Sequence, residues 1–191
     1  MMSVLSRCLY VVPIICIQSV QADVNISDQV ELYAIEGSTP SELRREMNVK
    51  RPHTSDGRRF DGRTRWYVSW RYRYRKTGSA CAIAAVNTSL KVTITLPQWS
   101  NESDADRTTR QHWARYLAAL EQHEQGHRRH GVDAANEIDA AIASMPPAGN
   151  CDALGSGANL LGKSVLQKFS QRDLDYDRDT RHGATQGARF P

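Results

Sequence analysis

After its first two dozen residues, this 191-residue sequence has no second hydrophobic span, no internal repeat and only two of its four cysteines. The missing span excludes a chain that crosses a bilayer repeatedly, since each crossing helix needs about 20 consecutive apolar residues. Charge of one sign is also scarce. Lys and Arg number 25 against 21 Asp and Glu, a net charge of +4, and so small an excess reflects solubility more than a polyanionic partner. The hydrophobic share of 40% and charged share of 24% are ordinary for a globular chain, enough to bury a core in one domain spanning 23–191.

The first 22 residues read as a signal peptide. Arg7 is its lone cation, Cys8 to Ile17 is apolar apart from Pro13, and Val20-Gln21-Ala22 supplies the small-residue cleavage pattern. The mature chain is then expected to begin at Asp23, outside the cytoplasm, in the periplasm or the medium. Removing Cys8 and Cys16 leaves Cys81 and Cys151, an even pair that an oxidising compartment joins as one disulfide. Closing a loop of that length removes chain entropy worth about 4 kcal/mol.

Hydrophobic periodicity predicts an α+β fold. A short strand covers 31–36. A helix follows over 40–47, where Thr39 caps, Pro40 takes the first turn and Glu42 completes a capping box. The basic, Gly-containing stretch 50–63 reads as a loop. Trp66, Val68, Trp70, Tyr72 and Tyr74 alternate with polar residues, the period of a half-buried strand. That alternation also accounts for the mixture of Arg with aromatics at 70–75, so nucleic acid is not an expected partner. Across a turn at 76–79, Leu90, Val92, Ile94 and Leu96 alternate again, which predicts an antiparallel hairpin in a small antiparallel sheet. A long helix is expected from 104 to 145, capped by Ser103 and stopped by Pro146-Pro147. From Cys151 onward the sequence becomes Gly-rich, then charged, and 162–191 reads on composition as a disordered tail.

The long helix carries His123-Glu124-Gln125-Gly126-His127, an HExxH pattern. Histidines four apart stack on one helix face and converge on a single ion, and the intervening glutamate stands where a general base is needed. Trp113, Tyr116, Leu117 and Leu120 form an apolar stripe before the motif, and Ala134, Ile138, Ala141 and Ile142 continue it afterwards. His123, Glu124 and His127 fall within or beside that stripe, whereas Gln122, Gln125 and Arg129 point away. Three ionisable groups on a buried face need partners, and zinc supplies them.

The third ligand is expected from another segment. His130 lies roughly 10.5 Å along the helix from His123, too far to share the ion, while Asp133 faces outward and Glu137 sits beyond reach. His182 is the leading candidate, ahead of His53 and His112. The alternating Asp173, Asp175, Asp177 and Asp179 lack the glycine and distal glutamate of an EF-hand, so calcium is not expected there.

Taken together, Gly37-Ser38-Thr39-Pro40-Ser41-Glu42-Leu43, Gly62-Arg63-Thr64 leading to Trp66 and Trp70, Cys81, Leu96-Pro97-Gln98-Trp99, the HEQGH motif and the run 176–183 resemble the bacterial family of predicted secreted zinc-dependent proteases. The resemblance implies that 176–183 belongs to the domain and strengthens the case for His182. The zinc motif points to a metallopeptidase acting on a peptide or protein substrate, with the cell envelope as a candidate source and Glu124 as base. Tyr176 and Arg181, close to His182 in sequence, are the candidate oxyanion stabilisers. A zinc amidase of cell-wall peptides and a non-catalytic zinc-stabilised envelope protein are the alternatives. A monomer is expected, with no membrane span once the signal is removed.

Overall fold

The computed structural model describes residues 24–53 and 57–191, so the expected signal peptide lies outside the described residues. The chain runs β1 (Asn25–Ile35), α1 (Pro40–Lys50), β2 (Arg63–Thr77), β3 (Ala80–Trp99), α2 (Arg107–Ala143) and α3 (Cys151–Thr180), with single 3-10 turns at Glu102–Asp104 and Ala184–Gln186. The architecture is the expected α+β. Among the described residues no helix is long and apolar enough to cross a membrane.

The local signals act as read. Thr39 accepts the Glu42 N–H, and the Glu42 carboxylate returns to the Thr39 backbone, closing the capping box of α1. β2 and β3 form the antiparallel hairpin across Gly78-Ser79, with Gly78 in the left-handed region at φ +61°. The sheet order is β1-β3-β2. Here the structure departs from the all-antiparallel expectation. β1 pairs with β3 in parallel, because one helix and one reversed strand separate them in the chain. Asp106, not Ser103, caps α2, accepting the Thr109 N–H at 2.9 Å and the Thr109 hydroxyl at 2.7 Å.

Leu90, Val92, Ile94 and Leu96 of β3 bury against Trp113, Tyr116, Leu120, Ile138 and Ile142 of α2. Burial of each large aliphatic side chain contributes about 1.5–3 kcal/mol. This places the middle of α2, with its histidines, against the sheet.

The largest correction concerns the C-terminal region. Residues 151–180 are one helix, not a tail. Leu154, Ala158, Val165 and Phe169 are buried at helical spacing, and Gly162 lies in the same stripe. Glycine inside a helix costs about 1 kcal/mol relative to alanine, and composition alone therefore argues against a helix here. The glycines serve close packing. A side chain at Gly162 would collide with the Trp70 indole, one at Gly155 with Tyr74, and one at Gly131 of α2 with Trp66. The inward aromatic row of β2 is thus seated in notches on both long helices. Cys81 and Cys151 form the expected disulfide. Backbone bonds in both directions between Cys81 and Ala148, at 2.8 and 2.9 Å, join the α2–α3 connection to the start of β3 beside it.

Candidate metal centre

α2 and α3 run antiparallel, as the pairs Glu137–Lys168, Asp133–Arg172 and His127–Asp173 show. The expected face of α2 is the buried one: His123 and Glu124 are each 3% exposed and His127 is 8% exposed, while Gln122, Gln125 and Arg129 face solvent. Opposite them α3 presents Asp173 and Asp177, one helical turn apart.

The Nε2 atoms of His123 and His127 each lie 3.1 Å from Asp177 Oδ1. Their other ring nitrogens are already engaged. His123 Nδ1 is 3.0 Å from Gln186 Oε1 and His127 Nδ1 is 2.9 Å from Asp173 Oδ1. With Nδ1 donating in both rings, both Nε2 lone pairs point at a carboxylate oxygen. Lone pairs facing one another at that range repel unless a cation or a proton lies between them. A spacing near 3 Å also suits ligand atoms that share one ion at about 2.0–2.2 Å. His123, His127 and Asp177 can therefore hold a metal ion, and their ligand atoms all lie within 4.8 Å of one another.

Electrostatics point the same way. Burial works against a charged His127, but the bonds from Asp173 and Asp177 outweigh it and push its pKa up to about 10. Burial likewise opposes ionisation of Asp177, yet the bonds from His123 and His127 hold its carboxyl well below the usual range. A divalent cation can replace the proton that His127 otherwise retains.

The supporting contacts arise from three segments. Asp173 Oδ1 also receives His130 Nδ1 at 2.6 Å, and its Oδ2 accepts the Trp66 indole N–H at 2.7 Å. His130 is thus tied to the shell around the site. The Tyr176 ring stacks on His123 with centroids 4.9 Å apart, fitted against the bare backbone of Gly126, and Gln186 Nε2 donates to its hydroxyl at 3.0 Å. Gln186 reaches this position because α3 ends in two left-handed residues, Arg181 and His182, followed by Gly183 at φ +80°. These reverse the chain beneath His123.

His182, expected as third ligand, lies outside the group of three. Its Nδ1 is 3.3 Å from Asp177 Oδ1, its side chain is 46% exposed, and its ring packs on Phe60 at 4.7 Å. Asp177, which the sequence reading did not single out as a ligand, completes the group of three that could hold an ion. Tyr176 faces Gln186 rather than the cavity, and Arg181 caps α3 from an exposed position. His53 and His112 are exposed.

Glu124 sits beside the ligands. Its Oε2 accepts the Thr64 hydroxyl at 2.7 Å, and Gly62 leaves room for its Oε1, from which a Cβ would stand only 2.7 Å away. Burial, opposed by Thr64 and the histidines, raises its pKa above the ordinary glutamate value. Gly62 and Thr64 are held in place by the neighbouring Asp61, whose carboxylate receives Arg44, Arg51 and the Tyr116 hydroxyl. His123, His127, Asp177 and Glu124 line a cavity of about 600 Å³, lined also by Arg51 and residues 58–63.

Residues 30–183 match the family described as a bacterial protein of unknown function, DUF922. No curated protein and no solved structure matches the chain.

Proposed function

The chain belongs to the bacterial family DUF922, and from the geometry of its metal centre we propose that it is an exported zinc-dependent metallopeptidase. One observation carries the proposal: two imidazoles, each engaged at Nδ1, and one carboxylate converge at about 3 Å, beside a buried glutamate, on the wall of a cavity.

His123, His127 and Asp177 would hold the ion. Two imidazoles and one carboxylate are a donor set zinc accepts while keeping a position open for catalysis. Bound zinc would supply a Lewis acid and a water ionising near neutral pH. Gln186 and Asp173 orient the imidazoles and make them better donors. Glu124 takes the proton from the attacking water and passes it to the leaving amine. With its pKa raised above the ordinary glutamate value, the carboxylate is a stronger base than a free one. Thr64 aims the carboxylate by bonding one of its oxygens. His182, at the cavity mouth and within reach of Asp177, is placed to steady that carboxylate on the substrate side. Export is supported by the disulfide, since such bonds persist in oxidising compartments. The substrate is then a peptide or protein met outside the cytoplasm.

Metal analysis together with hydrolysis of casein and of purified peptidoglycan tests the proposal. Wild type is expected to bind one zinc and cleave casein, and Glu124→Gln to retain zinc while losing cleavage. Cleavage of peptidoglycan alone would make the protein a cell-wall amidase. A Glu124→Gln variant indistinguishable from wild type in every assay would make the site structural.

A further inference from the structure

The cavity over the metal centre has a chemically biased wall. Arg51, Arg58, Arg59, Arg63 and Arg178 line it, with Phe60 and Leu174 as apolar lining. Arg51 is paired with Asp61 at 3.3 Å, and Arg178 with Asp175 and Asp179 at 2.6 and 3.0 Å.

Arg59 and Arg63 differ. Arg59 Nη1 donates to the Asn48 carbonyl at 3.0 Å, and Arg63 Nη1 donates to the His53 carbonyl at 2.7 Å. A neutral carbonyl fixes the direction of a guanidinium without cancelling its charge. Among the described residues, the carboxylates that line the same cavity are committed elsewhere: Asp61 to Arg44 and Arg51, Asp173 and Asp177 to the imidazoles, and Glu124 to Thr64. The wall that remains for a ligand is therefore cationic and pre-oriented, with several N–H donors left over on each planar group.

From this we infer that the site selects peptide segments carrying aspartate or glutamate side chains beside the bond to be cut, with Arg59 and Arg63 as the specificity-determining residues. The inference rests on the metallopeptidase reading. A bound divalent ion would add positive charge to the cavity and sharpen the same preference. A lysine-rich segment would be repelled, and like charges facing one another at a binding surface discriminate strongly.

The experiment has a binding arm and a cleavage arm. Fluorescence anisotropy measures binding of acidic, alanine-substituted and lysine-substituted versions of one peptide to the full-length Glu124→Gln protein, with and without added zinc. Rates of cleavage of the same three peptides are measured on wild type. The acidic peptide is expected to bind at least about tenfold more tightly than the alanine version at low salt, with the advantage shrinking as salt rises. Arg59→Ser with Arg63→Ser should reduce that ratio to about twofold, and Arg59→Lys with Arg63→Lys should restore part of it. Arg59→Ser alone, at an exposed position, should lower the ratio even if the double variant fails to fold. Equal binding of the acidic and alanine peptides, or preference for lysine, overturns the inference whether or not any peptide is cut. Selective binding of the acidic peptide without cleavage of any peptide leaves the selectivity standing and removes the peptidase reading instead.

Discussion

The two long helices contribute to one site in opposite ways. α2 brings three of its groups within five consecutive residues, His123 to His127, so the spacing of an α-helix alone puts them together. α3 brings Asp177, and behind it Asp173, from some fifty residues further along, and their position depends on how the helix is seated. The lesson is that a metal site can be half encoded by local periodicity and half by packing. The packing half then depends on everything that fixes the second helix: the disulfide at its start, the glycine notches along its length and the reversal at its end.

The comparison breaks most decisively if the α3 ligand proves dispensable. His127→Ala and Asp177→Ala are each expected to lower zinc affinity by at least about a hundredfold, more than the 10–100-fold typical of outer-shell changes. Metal content after dialysis checks this. Full zinc occupancy in Asp177→Ala, with loss in His182→Ala, would return the third vertex to His182. Reducing the Cys81–Cys151 bond should lower stability by about 4 kcal/mol, the chain-entropy value for so long a loop. Hydrogen exchange should localise the loosening to the first turns of α3 rather than to α2, and uniform loosening of both helices would erase the distinction. Asp173→Asn should weaken zinc binding by about tenfold, the lower end of the outer-shell range, by slackening His127 from the α3 side.

The smallest effect is one of pH. In the metal-free protein His127 titrates at about 10, above its unfolded value of 6.5. Its stabilising contribution is therefore complete below pH 6.5 and is lost as pH rises through 10. On the proposed reading zinc replaces that proton, so the zinc-bound protein should not share the loss. The difference in Tm between zinc-bound and metal-free protein is expected to widen steadily from pH 6.5 upward, and a constant difference would show that no imidazole proton is displaced.

The sequence made the first half of the site legible for a stated physical reason. Polar groups interrupting an apolar stripe need a partner, and the buried phases of His123, Glu124 and His127 bear that out. The same reasoning was available for α3. Leu154, Ala158, Gly162, Val165, Phe169 and Asp173 recur at intervals of three and four, and Asp177 follows one turn later. Glycine content and surface charge hid this stripe, because they are the usual marks of an unfolded tail. Gln186 left no such trace. It reaches His123 through two left-handed residues and a glycine, a backbone path that residue types alone do not specify. The parallel pairing of β1 was equally hidden, since strand alternation says nothing about direction.

The indole of Trp70 in its notch at Gly162 has a consequence for how such a centre changes over time. Gly162 lies fifteen residues before Asp177, about 22 Å along the helix axis, and touches no ligand. A single methyl group added there would wedge α3 away from the sheet, and the far end of a stiff rod would move with it. The gap between Asp177 and the two imidazoles could then drift by tenths of an ångström, enough to favour a larger or a smaller ion. If the site holds an ion as proposed, its metal preference becomes adjustable from a position that no comparison of coordinating residues would flag.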